Sequence, residues 1–493
     1  MKIGIRGFDQ RRLKSVERMR FILLKALQNQ FQVVESQNLT FDSGDIDALL
    51  TFYDPAVWEN ECHPQYPLLF CMNGDLIARF DFIRCNLSNL KTSDALLVAC
   101  NSDKSILNEM LGQCTPMVRN LPYYIDTDIY KPIDRRYCRE QILNTLSVDL
   151  PSAQTYIIAF VGRLIPQKNL HRFIKLIKKV KERLMPANIL GIVAGSYTRP
   201  YPVLDYFREN YMAYCSELQQ RLGLEKNIFF MGELDKSELS ILYNAVDLLV
   251  VLTNNVDENF GFTAIESMAC GTPVVATAYG GLKDSIVSGV TGRLVPTWLT
   301  ATGIRFDELY AEMSVASLLL QADHRREMSK ASVQHVKENY SRKNFDRTVH
   351  NIIYDVIRCR DGNHTGVEVN YTPKLYFQKS NFPHVERPWE SYIDCIKHYV
   401  SHELPILNEN TLFRPFASTR AIDNCHYYLD DPAWPATVQL SNDEVHLLNS
   451  CYDNDTPLLE KYPSKHAEIR RLVEEGILIP HLSRCTFDGT CNE

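Results

Sequence analysis

The chain has 493 residues, too many for one compact core, so two or three domains are expected. Its 45% hydrophobic and 23% charged residues are ordinary for a globular protein, and a formal net charge of -7 gives no overall attraction to nucleic acid or anionic lipid. No stretch reaches the roughly 18 apolar residues of a membrane span, the start "MKIGIRGFDQ" lacks the apolar core of a signal peptide, and the 14 cysteines show no repeated spacing. These features predict reduced thiols in a cytoplasmic protein.

Up to about residue 130, short apolar runs alternate with polar segments. Strands are predicted at Ile3 to Arg6, Gln32 to Val34, Ala48 to Phe52, Leu68 to Met72 and Ala95 to Cys100, with helix over Leu13 to Gln30. The runs are short and almost continuously apolar, as buried parallel strands are. A second series follows in "YIIAFV", "NILGIVAG", "NIFFMG", "DLLVVL" and "PVVAT". The helix after its first strand carries Leu170, Phe173, Ile174, Ile177, Val180 and Leu184 at helical spacing, and Asp235-x-x-Glu238 opens another with a capping box. Two strand–helix series in tandem predict two doubly wound domains, with the crossing in "DTDIYKPIDRR" at 126–136.

The amphipathic stretch Ser341 to Arg360 presents Phe345, Val349, Ile352, Ile353 and Val356 on one side. After it "DGNHTG" breaks the pattern, and the remainder is rich in proline and aromatics, including Trp389, Tyr427, Tyr428 and Trp434. The predicted division is 1–150, 151–340, a crossing helix at 341–362 and a C-terminal extension at 363–493. Within 440–480, Ser441-x-x-Glu444 is a capping box, Gly476 is placed to stop a helix, and "ILIP" reads as the strand of a wing.

Chemistry concentrates in two stretches of the second series. "ENFGFTAIESMACGTPVVAT" places Glu258 before a Phe-Gly turn and Glu266 about two turns into the helix that follows. A helix N-terminus offers free N–H groups, and Gly261, lacking Cβ, lets a ligand approach the backbone. Two acceptor-only carboxylates there suit two separate polyols, such as a sugar and a ribose. "FVGRLIPQKNL" places Arg163 at a strand end, able to fork onto phosphate oxygens, with Lys168 five residues on.

These stretches, with "NIFFMGELDKSELSILYNAVDLLVVLT" and the continuation "AYGGLKDSIVSGVTGRLVP", resemble the C-terminal domain of retaining GT-B glycosyltransferases, family 4 in particular. The likeness covers 156–300 most strongly. It implies an α/β GT-B fold, two Rossmann-like domains facing a cleft, here with an appended C-terminal domain. It also implies a metal-independent enzyme without cofactor whose donor is a nucleotide sugar, UDP being the first guess. On the matching positions, Arg163 and Lys168 hold the donor diphosphate, Glu258 contacts the sugar and Glu266 the ribose. Glu258, Arg163 and Lys168 are thus the catalytic candidates. Backbone at Asn259, Phe260, Gly261 and Phe262 supports sugar and phosphate, and Gly232, Glu233 and Leu234 border the base. The segment at 440–480 faintly resembles winged-helix, PqqD-like modules that bind precursor peptides, which makes a peptide or a glycan a candidate acceptor.

The first domain departs from the family. Its opening loop has Gly7 without the usual Gly-Gly pair, and "MNGD" stands where many relatives carry a His, so Asn73, Gly74 and Asp75 are acceptor-side candidates beside a plain-turn reading. The triplets Asp45-x-Asp47, Asp126-x-Asp128 and Asp453-x-Asp455 sit in turn-like contexts that suit Asp for its own sake. Cys62-His63 with Cys71, and Cys485 with Cys491, lack a four-ligand zinc spacing, so no metal site is expected. Two rivals remain: a sugar phosphorylase on the same fold, and a catalytically silent nucleotide-sugar or peptide binder.

Overall fold

The computed structural model describes residues 1–6, 14–35, 45–52, 57, 66–72, 76, 80–112, 116–148, 154–198, 210–255, 258–359, 396–451 and 455–481. Contacts divide the chain into two compact units. One comprises 1–127, 256–261 and 335–374, the other 128–255, 262–334 and 375–493.

The first unit holds a six-stranded sheet: β1 (Lys2–Arg6), β2 (Gln32–Glu35), β3 (Ala48–Thr51), β4 (Leu68–Cys71), β5 (Ala95–Val98) and β6 (Met117–Asn120). The order is β2-β1-β3-β4-β5-β6 and every pairing is parallel. β3, β4 and β5 are buried along their whole length, which explains their unbroken apolar sequence. β6 escaped the sequence reading because only Val118 of its four residues is buried.

The amphipathic stretch near 350 forms the helix Arg342–Arg358, and the five apolar residues of its stripe are all buried. It packs on the helix Lys14–Gln28 and the turn after it. There His350 Nε2 lies 3.0 Å from the Ala26 carbonyl and Gln30 donates to the Tyr354 hydroxyl at 2.8 Å. The acceptor-side candidates Gly7, Asn73, Gly74 and Asp75 lie outside the described residues.

The second unit is built on β7 (Thr155–Val161), β8 (Asn188–Ala194), β9 (Ile228–Gly232), β10 (Leu248–Val251), β11 (Val274–Thr277) and β12 (Gly292–Val295). Their order is β12-β11-β10-β7-β8-β9, again parallel throughout. The helix Leu170–Arg183 buries Leu170, Phe173, Ile174, Ile177 and Val180 against it. Both arms of the Asp235–Glu238 capping box form at the helix Lys236–Ala245. The helix Arg135–Leu146 packs on that helix, and Arg135 Nη2 meets Asp247 Oδ1 at 2.7 Å. The contact boundary, between Thr127 and Asp128, therefore differs from the sequence boundary at 150 by this one helix.

Residues 396–481 belong to the second unit. After the hairpin β13 (Thr297–Thr300) and β14 (Gly303–Phe306) come β15 (Phe413–Pro415), an antiparallel three-stranded sheet of β16 (Ser418–Ala421), β17 (His426–Asp430) and β18 (Ala436–Gln439), and then β19 (Leu478–Pro480). Between β18 and β19 lie the helices Asn442–Asn449, Leu458–Lys461 and His466–Glu474. The Ser441–Glu444 capping box forms, and Gly476 turns the chain after the last helix at φ +73°. The "ILIP" strand is β19, and it pairs with β15.

A buried ionic network joins this region to the core of the second sheet. Arg172 reaches Glu308 at 2.5 Å, the Phe416 carbonyl at 2.6 Å and the Asp431 carboxylate. His171 sits between the Tyr211 hydroxyl (3.0 Å from Nδ1) and Asp431 (3.2 Å from Nε2). Neutral imidazole satisfies both if Nε2 carries the proton and Nδ1 accepts. Burial pushes the His171 pKa down to about 4, against the pull of Asp431. Burial alone would raise the Asp431 carboxyl, yet Arg172 and His171 hold it well below the usual range. Arg305, wholly buried, donates to the carbonyls of Gly476, Ile304 and Thr302, and loss of water pushes its pKa down to about 9. Gly303, at φ +122°, lies under Trp434, where a Cβ would come within 2.5 Å of the indole.

Candidate functional site

β7 and β10 are neighbours at the middle of the second sheet, and the chain winds away from them in opposite directions. The crevice beyond the carboxyl ends of two such strands is where open α/β sheets bind ligands. Arg163 follows β7 directly, and the segment 252–255 follows β10. Two hydrogen bonds tie them: Asn169 Nδ2 donates to the Leu252 carbonyl at 2.7 Å, and the Asn254 N–H to the Gln167 carbonyl at 3.0 Å. Asn169 adopts the left-handed conformation at φ 61° as the chain leaves the turn Pro166–Lys168 and enters the helix Leu170–Arg183. Arg163 and Lys168 are both half-buried, so each side chain is anchored yet wet.

Glycine ends three adjacent strands. The Gly162 N–H donates to the Ala194 carbonyl at 3.0 Å and the Gly195 N–H to the Gly232 carbonyl at 2.7 Å. A Cβ on Gly195, whose φ is +138°, would stand 1.9 Å from the Gly162 oxygen, so no other residue fits. Gly232 closes β9, an edge strand, at φ +71°. Glu233 beyond it is exposed and Leu234 half-buried.

Glu266 lies in the helix Phe262–Ala269, which starts directly after Gly261 at φ +80°. The helix buries Ala264, Ile265 and Met268, and it carries Glu266 inward with them, leaving the carboxylate residue 3% exposed. The Tyr243 hydroxyl donates to Glu266 Oε2 at 3.0 Å. Burial, then the Glu266 charge, raises the Tyr243 phenol well above its ordinary value, so it remains a donor. Tyr243 was not singled out from sequence, although it lies within the segment "LSILYNAVDLL" that supported the resemblance.

Glu258, Asn259, Phe260 and Gly261 fall in the first unit. The Phe260 ring stands edge-on to Tyr123 and Tyr340, with centroids at 5.5 and 5.9 Å. Tyr123 in turn stacks on Phe345 at 5.9 Å. This aromatic cluster fixes the turn that bears Glu258, which is 9% exposed. Two buried amide atoms, Asn259 Nδ2 in this unit and Asn254 Oδ1 in the other, have no hydrogen-bond partner among the described residues. Thus Arg163, Lys168 and Glu266 share one unit with Gly232, Glu233, Leu234 and Phe262, whereas Glu258 to Gly261 belong to the other.

Of the acidic triplets, Asp47 accepts the Lys2 N–H at 2.8 Å, and Asp455 grips Arg414 at 2.8 Å. Asp453, Cys62, His63, Cys485 and Cys491 lie outside the described residues. Among the described residues, Asp423, Cys425 and His426 bring potential metal-ligand atoms within 4.8 Å of one another. The Asp423 carboxylate there already takes the N–H groups of Cys425 and His426. Among the described residues no helix is long and apolar enough to cross a membrane.

Comparison with known proteins finds related sequences and folds. Residues 147–304 match the family described as Glycosyl transferases group 1. A D-inositol 3-phosphate glycosyltransferase of Corynebacterium glutamicum (strain R) is 34% identical over 170 residues, covering 34% of this chain and 37% of the relative. The protein of the same name from Segniliparus rotundus is 32% identical over 245 residues, covering 49% and 48%. The chain thus spans less than half the length of these two relatives. In three dimensions it resembles Anabaena HepE, solved with UDP and glucose (TM-score 0.52, 15% identity, 72% of this chain and 100% of that one). It also resembles the sucrose-phosphate synthase of Thermosynechococcus elongatus (TM-score 0.52, 15% identity, 73% and 99%).

Proposed function

From the premise that this chain has the GT-B fold and carries a group 1 glycosyl transferase segment, we propose that it moves a sugar from a nucleoside diphosphate sugar to an acceptor hydroxyl, with retention and without a metal. The observation that carries the reading is the β7–β10 switch point. There the loop bearing Arg163 and Lys168 is fastened to the segment after β10, in the unit whose helix Phe262–Ala269 holds Glu266.

In this reading the acceptor hydroxyl attacks the anomeric carbon as the bond from that carbon to the β-phosphate oxygen breaks. The electron pair leaves with the diphosphate, and the hydroxyl proton passes to that leaving phosphate. Arg163 and Lys168 meet the developing charge with preset cations, as do N–H groups at the start of the helix Phe262–Ala269. Glu258 holds the sugar hydroxyls, Glu266 the ribose, Asn259 to Phe262 the sugar and phosphate, and Gly232 to Leu234 the base. UDP is the first nucleotide to test, because HepE was solved with it. An inositol phosphate is the first acceptor to test, because the relatives carry that name.

A panel of UDP, GDP, ADP and their sugars, read by thermal shift and by transfer in excess EDTA, tests the proposal. A ligand at 100 times its dissociation constant adds about 2.7 kcal/mol of stability. The expected result is one stabilising nucleotide and transfer that persists in chelator, with Glu258→Gln losing turnover and Glu266→Gln losing mainly nucleotide affinity. Dependence on added manganese or magnesium would overturn the metal-free mechanism. Full activity in both variants would remove the assignment of the two glutamates.

A further inference from the structure

A cavity of about 290 Å³ opens in the second unit, between the helix Leu170–Arg183, the helix Glu308–Leu320 and the segment 414–418. Of its lining residues only Leu252 also belongs to the switch-point segments described above, and none is assigned a contact with the donor. Its size is near the lower end of small-molecule sites, which run to about 300–1,000 Å³.

The charges on its wall are not balanced. Six cationic and two acidic side chains line it, and both acids are already engaged. Glu308 pairs with Arg172 at 2.5 Å. Glu312 pairs with Arg183 at 2.6 Å and with Arg414 at 3.0 Å. Among the described residues, Lys178 and Lys179 pair only with the solvent-facing Glu182, at 3.4 and 3.9 Å. Lys175 and Arg221 make no hydrogen bond or ion pair among the described residues. Beside these cations, Leu176, Leu222 and the Phe416 ring supply apolar wall. Phe416 is held in place by the guanidinium groups of Arg172 and Arg305, at 4.0 and 3.5 Å from its centroid.

We propose that this cavity binds a small organic phosphomonoester, its phosphate between Lys175 and Arg221 and its body against Leu176, Leu222 and Phe416. A phosphomonoester carries nearly two negative charges at neutral pH and three strong acceptor oxygens, which suits two unengaged cations better than a single carboxylate does. The apolar wall and the volume call for more than a bare inorganic ion. The cavity walls come from both the nucleotide-domain core and the C-terminal region, so the ligand fastens one to the other.

Lys175 supports the assignment. Loss of water, and then the Arg172 charge, push its pKa down to about 8, with Arg221 acting in the same direction and Glu308 and Asp431 opposing. An arriving dianion reverses that shift, so binding at a pH just above 8 takes up a proton.

The experiment titrates the full chain with phenyl phosphate, glucose 6-phosphate, glycerol 3-phosphate and inorganic phosphate. Melting temperature and calorimetric heat are read in two buffers of different ionisation enthalpy at pH 8.5. At least one ester is expected to raise the melting temperature saturably, more than inorganic phosphate does, with proton uptake and without competition from UDP. Lys175→Met and Arg221→Gln should each weaken that ester at least tenfold. Their UDP binding should stay unchanged and their unliganded melting temperature should not fall, since among the described residues neither side chain makes a hydrogen bond or ion pair and Lys175 is held there against loss of water. The proposal is overturned if no ester stabilises the chain, if inorganic phosphate binds as well as every ester, if the variants bind as tightly as the parent, or if UDP displaces the ester. Failure here leaves the donor-site reading intact, because that reading is judged by UDP binding and transfer.

Discussion

Arg163 and Arg172 stand nine positions apart, one at the end of β7 and the other in the helix that follows, and they live in opposite electrostatic worlds. Arg163 is half-buried just past the end of β7. Arg172 is 3% exposed, with Glu308, Asp431 and the Phe416 carbonyl around its guanidinium. A cation kept partly in water keeps its charge available to a ligand, whereas one enclosed by carboxylates has spent it on the fold. The comparison separates side chains that should change binding from side chains that should change stability.

The largest effect is expected at Asp431. Asp431→Ala leaves Arg172 and His171 buried without their carboxylate, and breaking a buried pair in this way costs about 3–5 kcal/mol. Denaturant unfolding should show that loss while the fraction still folded binds UDP normally. Equal stability would mean that the network is hydrated and dispensable.

Acid sharpens the same contrast. His171 has a folded pKa of about 4 against an ordinary 6.5, so between these values the unfolded chain takes a proton that the folded chain refuses. Stability is therefore full above pH 6.5 and falls as the pH drops toward 4, by about 3 kcal/mol for this group. His171→Gln, which still offers an N–H to Asp431, should flatten unfolding free energy measured between pH 7 and 5. An unchanged slope would assign the acid sensitivity to other groups.

At the strand end the expectation inverts. Arg163→Ala should lower the melting temperature far less than Asp431→Ala does, but remove charge-assisted bonds worth about 1.5–3 kcal/mol, weakening UDP by roughly 10- to 100-fold. A destabilised protein with normal UDP affinity would place Arg163 on the structural side. The smallest effect is expected for Tyr243→Phe. It deletes one hydrogen bond to Glu266, about 1 kcal/mol, and should cost UDP several-fold in affinity, more than it costs a nucleotide lacking the ribose hydroxyls.

Legibility in the sequence follows the range of the interaction. The helix Arg342–Arg358 was readable because its buried stripe is periodic. The capping boxes at Asp235 and Ser441 and the stop at Gly476 were readable because each is closed within a few residues. The glycines after β7, β8 and β9 left a signal too, since each ends an apolar run, although their mutual hydrogen bonds appear only in space. Arg163, Lys168 and Glu266 were legible as motif members. The pairing of β15 with β19, the enclosure of Arg172 and Arg305, and the cavity beside Lys175 were not, because they join segments far apart in the chain and nothing local marks them. Tyr243 was hidden for a related reason: its apolar neighbours make it look like one more core residue.

The join between Arg172 and Asp431 also has a timetable. The two residues are separated by 259 positions. At a synthesis rate of about 5–20 residues/s, the carboxylate leaves the ribosome roughly 10–50 s after the guanidinium. Through that interval the core of the second sheet waits with the face around Arg172 uncovered. Arg172 and Lys175 attract water there, whereas an apolar contact of equal size would offer neighbouring nascent chains a place to stick. An ionic seam that adds little net stability over an apolar one thus gives the unfinished chain a soluble surface until its last fifth arrives.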